Sequence, residues 1–181
     1  MKRVLYGIML SLLGVGILMA GEFKAQGPVL ITSAGQSADV LMAKVLAKKS
    51  ALTYTLDKTA TPDKLNGHKS LILVCGGSTK GLGAAKIDKE QELERIKNLL
   101  KAAKKQNIPI IAMHIGGKSR RGGLSDYFNI PVAEAADFLI VVKSGNEDGK
   151  FNEIAKAKKI SIELPEKIVA VTEVLKSIYA K

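Results

Sequence analysis

One pattern repeats along this chain: a short apolar run, then a longer stretch with helical periodicity. The runs are PVLIT (28–32), ALTYTL (51–56), SLILVC (70–75), IPIIAMHI (108–115), DFLIVV (137–142) and ISIEL (160–164). Runs of this length rich in Val, Ile and Leu and bounded by Gly or Pro read as buried strands. Between them, apolar residues recur at three- and four-residue intervals. Val40, Leu41, Met42, Val45 and Leu46 mark a helix to about Lys49, and Ser33 and Gln36 stand in capping-box register ahead of it. Asp88 and Gln91 give a second capping signal, for a helix to about Gln106 with Leu93, Ile96, Leu99, Leu100 and Ala103 on one stripe. A further helix runs to about Lys158. Pro165 suits the first turn of a last one, with Ile168, Val171, Val174, Leu175 and Ile178 facing inward.

Strands that alternate with helices require crossover connections, and these build a parallel sheet covered on both faces. The expected fold is α/β: a three-layer, doubly wound, mostly parallel sheet of five or six strands, flavodoxin-like or Rossmann-like. SLILVC is apolar on both faces and belongs in the sheet centre. The strand order 2-1-3-4-5 would set it between the first and fourth strands. ISIEL is expected at an edge. Residues 57–67, with Pro62, Asn66 and Gly67, read as loop with room for one short helix.

The N-terminus has a different character. Lys2 and Arg3 precede an uncharged apolar run, Val4 to Ala20, and Gly21 follows it. This is the layout of a secretory signal, and the run lies near the short limit for a spanning helix. Residues 1–20 are therefore expected to be a signal peptide or N-terminal membrane anchor, 21–27 a linker and 28–181 a single α/β domain. The expected location is extracytoplasmic: secreted, periplasmic or anchored facing outward. With one cysteine, Cys75, such a domain has no internal disulfide and relies on packing.

The formal net charge is +11. Much of the excess is Lys on helix faces, at positions 44, 48, 49, 97, 101, 104, 105, 156, 158 and 159, which reads as solvated surface. The partners this suggests are a small anionic ligand and an anionic envelope surface, with membrane contact only through the N-terminal segment. Nucleic acid is excluded, because the lysines are dispersed and aromatics make up only 4% of the chain.

In open α/β sheets, ligands bind beyond the carboxyl ends of the strands. That rule selects the loops 32–37, 76–83, 116–123 and 143–149. Gly-rich turns offer backbone N–H groups to anions, and Arg adds forked donors. The candidate ligand-binding residues are Ser33, Gln36, Ser37, Gly76, Gly77, Ser78, Thr79, Lys80, His114, Gly116, Gly117, Lys118, Arg120 and Arg121. Nucleotide fingerprints fail. Gly76 and Gly81 have P-loop spacing, but Leu82-Gly83 stands where Lys-Ser/Thr is required, and Lys86 stands where a dinucleotide site needs its third glycine. Cys75 and His114 end neighbouring strands, a possible thiol–base pair, although a lone cysteine is more often core. Asp57, Asp126 and Asp137 read as isolated carboxylates, and no metal-ligand spacing or cofactor motif is present.

The segments PVLITSAGQSADV (28–40), LILVCGG (71–77) and MHIGGKSRRGGLSDYF (113–128) resemble an uncharacterised family of small secreted bacterial α/β proteins of Rossmann-like or flavodoxin-like layout. The resemblance implies export and fold, and brings no activity to individual residues. The expectation is an exported protein that binds a small anionic ligand, without evident catalysis. The alternatives are a hydrolase or transferase using Cys75 or a loop Ser, and a partner-binding envelope domain.

Overall fold

Alternation along each strand sorts the apolar side chains onto two faces, and each face is covered by helices. The computed structural model describes residues 22–180, and the N-terminal targeting segment read from residues 1–20 lies outside the described residues. Six strands form one parallel sheet: β1 (Val29–Ala34), β2 (Tyr54–Leu56), β3 (Ser70–Cys75), β4 (Ile110–His114), β5 (Phe138–Val141) and β6 (Ser161–Glu163). Their order is β2-β1-β3-β4-β5-β6. This is the doubly wound order expected, extended by β6 at the edge. β3 is central and buried along its whole length, paired in register with β1 from Val29–Ser70 to Ala34–Cys75 and with β4 from Leu71–Ile110 to Val74–Met113.

The helices are α1 (Asp39–Lys49), α2 (Thr79–Ala85), α3 (Lys89–Lys105), α4 (Gly123–Ala135), α5 (Lys150–Lys158) and α6 (Val171–Ile178). On one face Val29, Ile31, Ile72, Val74, Ile111, Met113 and Ile140 pack against α1 and α6. On the other, Leu30, Leu71, Leu73, Ile110, Ala112 and Leu139 pack against α2, α3, α4 and α5. Burying each of the Val, Leu, Ile and Met side chains stabilises the fold by about 1.5–3 kcal/mol. Residues 22–27 have no regular secondary structure and lie on the α1–α6 side. Phe23 stacks on Phe138 with ring centroids 4.7 Å apart, and Ala25 N donates to Ile178 O at 2.8 Å. No helix among the described residues is long and apolar enough to cross a membrane.

Several local expectations are corrected. Ser33 and Gln36 form no capping box: Ser33 lies inside β1, and α1 starts at Asp39, whose N–H donates to Ser37 Oγ at 3.3 Å. The stretch 76–83 is not all loop, since α2 begins at Thr79 with Ser78 Oγ accepting from Gly81 N at 3.1 Å. Gly81 and Gly83 hid this helix from propensity. A full helix, α4, follows the basic loop after β4. It runs through Pro131 because burial of Phe128, Val132 and Ala133 outweighs the missing N–H. Pro165 does not start the last helix. A 3₁₀ turn, Ile168–Ala170, precedes α6, and Ile168 is 37% exposed instead of inward. The Asp88–Gln91 capping box is present, with both reciprocal bonds made.

Phe128 is fully buried and packs edge-to-face on Tyr127. Replacing it with Ala should cost about 3–5 kcal/mol through the cavity left behind. Asp88→Ala, which removes one cap, should cost only about 1 kcal/mol. Urea midpoints compared at unchanged slope measure both.

Candidate functional site

Parallel strands end together at one edge of the sheet, so the loops after β1, β2 and β3 meet there. They enclose a cleft of about 440 Å³ lined by Gln36, Ser37, Ala38, Leu41, Lys58, Thr59, Ser78, Lys80, Gly81, Ala84 and Ala85. In the 2-1-3-4 order, β1 leads to a helix on one face and β3 to a helix on the other. The cleft therefore lies at the switch point, where open α/β sheets place ligands.

A buried carboxylate holds its wall. Glu92 of α3 is fully buried; its Oε1 accepts from Gly35 N at 2.9 Å, Gln36 Nε2 at 3.1 Å and Arg95 Nη2 at 2.8 Å, and its Oε2 from Arg95 Nε at 2.8 Å. Arg95 in turn donates to Ser33 O at 2.6 Å and Ala60 O at 2.8 Å, joining the ends of β1 and the β2 loop. Gln36 sits at φ 60° and also donates to Lys58 O at 3.1 Å. The β1 and β3 loops are sewn together by Ser78 N to Gly35 O at 2.8 Å and Ser37 N to Gly76 O at 3.2 Å. Position 81 must be glycine here, because a Cβ would lie 1.9 Å from Gln36 O.

The basic loop after β4 is a separate cluster in which each cation already has a carboxylate. Arg121 donates through Nε to Asp126 at 2.9 Å and through Nη1 and Nη2 to Asp148 at 2.9 and 2.8 Å, with its guanidinium 4.9 Å from the Phe151 ring centroid. Its hydrogen bonds hold Asp148 below the usual carboxylate range. Arg120 pairs with Asp39 at 3.4 Å and donates to Gly77 O at 3.2 Å, while Lys118 pairs with Glu147 at 3.2 Å. Arg120 thus bridges α1 and the β3 loop to the β4 loop.

Cys75 and His114 sit on the same sheet face but make no hydrogen bond to each other. His114 Nε2 bonds to Arg120 O at 2.9 Å; since a carbonyl only accepts, Nε2 carries the proton. The ring is buried against Phe151 and Gly145, and burial lowers its affinity for a second proton. The Cys75 thiol donates to Leu73 O at 3.7 Å, and burial pushes its pKa up to about 12. That removes the thiolate a nucleophile needs.

Of the candidate residues, Gln36, Ser37, Ser78 and Lys80 line the cleft. Thr79 is exposed beside it at the start of α2. Ser33, Gly76 and Gly77 are buried beneath it. His114, Gly116, Gly117, Lys118, Arg120 and Arg121 form the neighbouring cluster and do not line the cleft. Sequence reading missed Lys58 and Thr59, which follow too short a strand, and the Glu92–Arg95 pair, whose three-residue spacing looks like an ordinary surface pair. It also missed Asp126 as the partner of Arg121.

Removing one member of a buried pair leaves the other uncompensated. Glu92→Ala should therefore cost about 3–5 kcal/mol, and Glu92→Ala combined with Arg95→Ala clearly less than the sum of the two single changes, measured by a denaturant double-mutant cycle. Cys75 gives a pH signature. The unfolded thiol releases its proton near pH 9 while the folded one holds it to about 12, so this group lowers stability as pH rises through that window. Cys75→Ala should flatten the alkaline decline, and an alkylating reagent at neutral pH should label Cys75 only after denaturation.

Residues 26–179 match the family described as "Domain of unknown function (DUF6305)". No curated protein matches the chain. Among solved structures it is similar to a GDSL-like lipase from Bacteroides thetaiotaomicron, at 12% identity and a TM-score of 0.33, over 74% of this chain and 65% of that one. The chain thus spans less than two thirds of that protein's length. It is also similar to AlinE4, an SGNH-hydrolase family esterase, at 10% identity and a TM-score of 0.30, over 78% of this chain and 76% of that one. With its whole α/β domain covered by the match, the chain belongs to the DUF6305 family.

Proposed function

We propose that this protein is an exported binding domain that takes a small anionic molecule in the switch-point cleft. The observation that carries the reading is the pair Lys58 and Lys80. Both are exposed, both line the cleft, and neither has a carboxylate partner among the described residues. The arginines after β4 are already neutralised by Asp39, Asp126 and Asp148, so the counter-charge for a ligand falls to the two lysines. The Gln36 and Ser37 side of the cleft is held rigid by Glu92 and by the β1–β3 loop bonds, a pre-formed wall that loses little entropy on binding. A cleft of this size suits a compact ligand such as a phosphorylated or carboxylated metabolite. The charge and apolar layout of residues 1–20 supports export.

Thermal unfolding across a panel of small carboxylates, phosphates and nucleotides tests the binding. A true ligand at a hundredfold excess over its Kd should add about 2.7 kcal/mol of stability. Lys58→Ala and Lys80→Ala should each weaken binding by about 1 kcal/mol, the upper end for an exposed pair, and leave the unliganded Tm unchanged. Arg121→Ala should do the reverse, lowering the Tm while sparing affinity. If no anion raises the melting point, or the lysine variants bind as well as the parent, this reading is wrong.

A further inference from the structure

All five large hydrophobic side chains left exposed among the described residues fall in one layer. Leu41, Met42 and Val45 lie on α1, and Ile168 and Val169 lie in the turn entering α6, with exposures between 37% and 62%. Ser50 Oγ at the end of α1 donates to Thr172 O at 3.1 Å, tying the two elements together. Lys44, Lys48, Lys49 and Lys167 stand exposed around these side chains and have no carboxylate partner among the described residues. Three acidic groups nearby are already taken, Asp39 by Arg120, Glu166 by Lys143 and Glu173 by Lys176, and Glu163, beside Glu173 at the β6 edge, is unpaired among the described residues. The opposite layer carries exposed lysines too, but none of the exposed large hydrophobics.

We infer that the α1–α6 layer docks on an anionic lipid bilayer, with its apolar side chains at the headgroup boundary and its lysines on lipid phosphates. Apolar side chains on the outer surface of a helix, rimmed by long cations, suit a flat, negatively charged, partly apolar surface. Each lysine near such a surface adds to the attraction, which falls off within a Debye length. Leu41 belongs to this patch and also lines the cleft, so docking would set the cleft mouth against the membrane. The inference rests on the export reading of residues 1–20, whose apolar run would bring the chain to a bilayer. It does not depend on anion binding in the cleft.

Because the N-terminal run would itself hold the full chain on vesicles, the test must report on α1 directly. Met42→Cys in the full chain, labelled with an environment-sensitive fluorophore, supplies this, since buried Cys75 stays unlabelled. Vesicles of phosphatidylglycerol should raise and blue-shift its emission, and phosphatidylcholine vesicles should not. High salt, or the triple change Lys44→Glu, Lys48→Glu and Lys49→Glu, should abolish the response. The same label at Lys101→Cys, on α3 across the sheet, should stay silent. No response at position 42, an equal response at 101, or equal effects of the two lipids would overturn the inference. So would a response that follows protein concentration without lipid, which would make a second copy the occupant. The anion-dependent Tm shift is read without vesicles, so a failure of docking and a failure of cleft binding are told apart.

Discussion

Glu92 is a carboxylate with no exposure to water, held in place because four donor bonds reach its two oxygens. An ion buried this deeply is tolerated only when its partners are close and complete. That requirement fixes the rest of the strand-end architecture. Arg95 must lie against the carbonyls of Ser33 and Ala60, Gly35 must turn its N–H inward, and Gln36 must adopt a positive φ to present its amide. The wall of the cleft is therefore a consequence of satisfying one charge. It is held by α3, a helix that does not itself line the cleft.

A second balance operates after β4. Three cations in a glycine-rich loop resemble an anion receptor when seen alone. In the fold they meet Asp39 from α1, Asp126 from α4, and Glu147 and Asp148 from the loop after β5. Carboxylates from three separate segments convert the loop into a clamp that joins the strand ends. Unpaired charge at the cleft is left to Lys58 and Lys80, two residues with no local distinction. This chain thus uses arginine, whose planar fork suits several fixed partners at once, for architecture, and leaves flexible lysine at the open edge.

The two covering layers are unequal. The layer of α2 to α5 buries its large apolar side chains, whereas the layer of α1 and α6 leaves five of them in solvent. Soluble surfaces expose single hydrophobics routinely, and it is their concentration on one layer beside unpaired lysines that the docking proposal rests on.

Much of the fold was legible before any coordinates. The six apolar runs became six strands, SLILVC took the centre of the sheet, and ISIEL the edge, because strand burial is written directly as hydrophobic pattern. The Asp88–Gln91 cap was equally readable, being a bond between neighbours in the chain. Local signals misled where long-range contact outweighed them. Pro131 is carried inside α4 by the burial of Phe128 and Val132, Gly81 of α2 is kept by a close approach to Gln36, and the Ser33–Gln36 cap was displaced by bonds to Glu92. The sequence by itself determined the layer architecture, the sheet centre and the edge where loops gather, since these follow from periodicity and from the crossovers that parallel strands demand. Only the tertiary structure decided which of the gathered charges cancel and which face the cleft. Pairing between Arg121 and Asp148, or Arg120 and Asp39, depends on distances across separate chain segments, and those exist only once the sheet has brought its strand ends together.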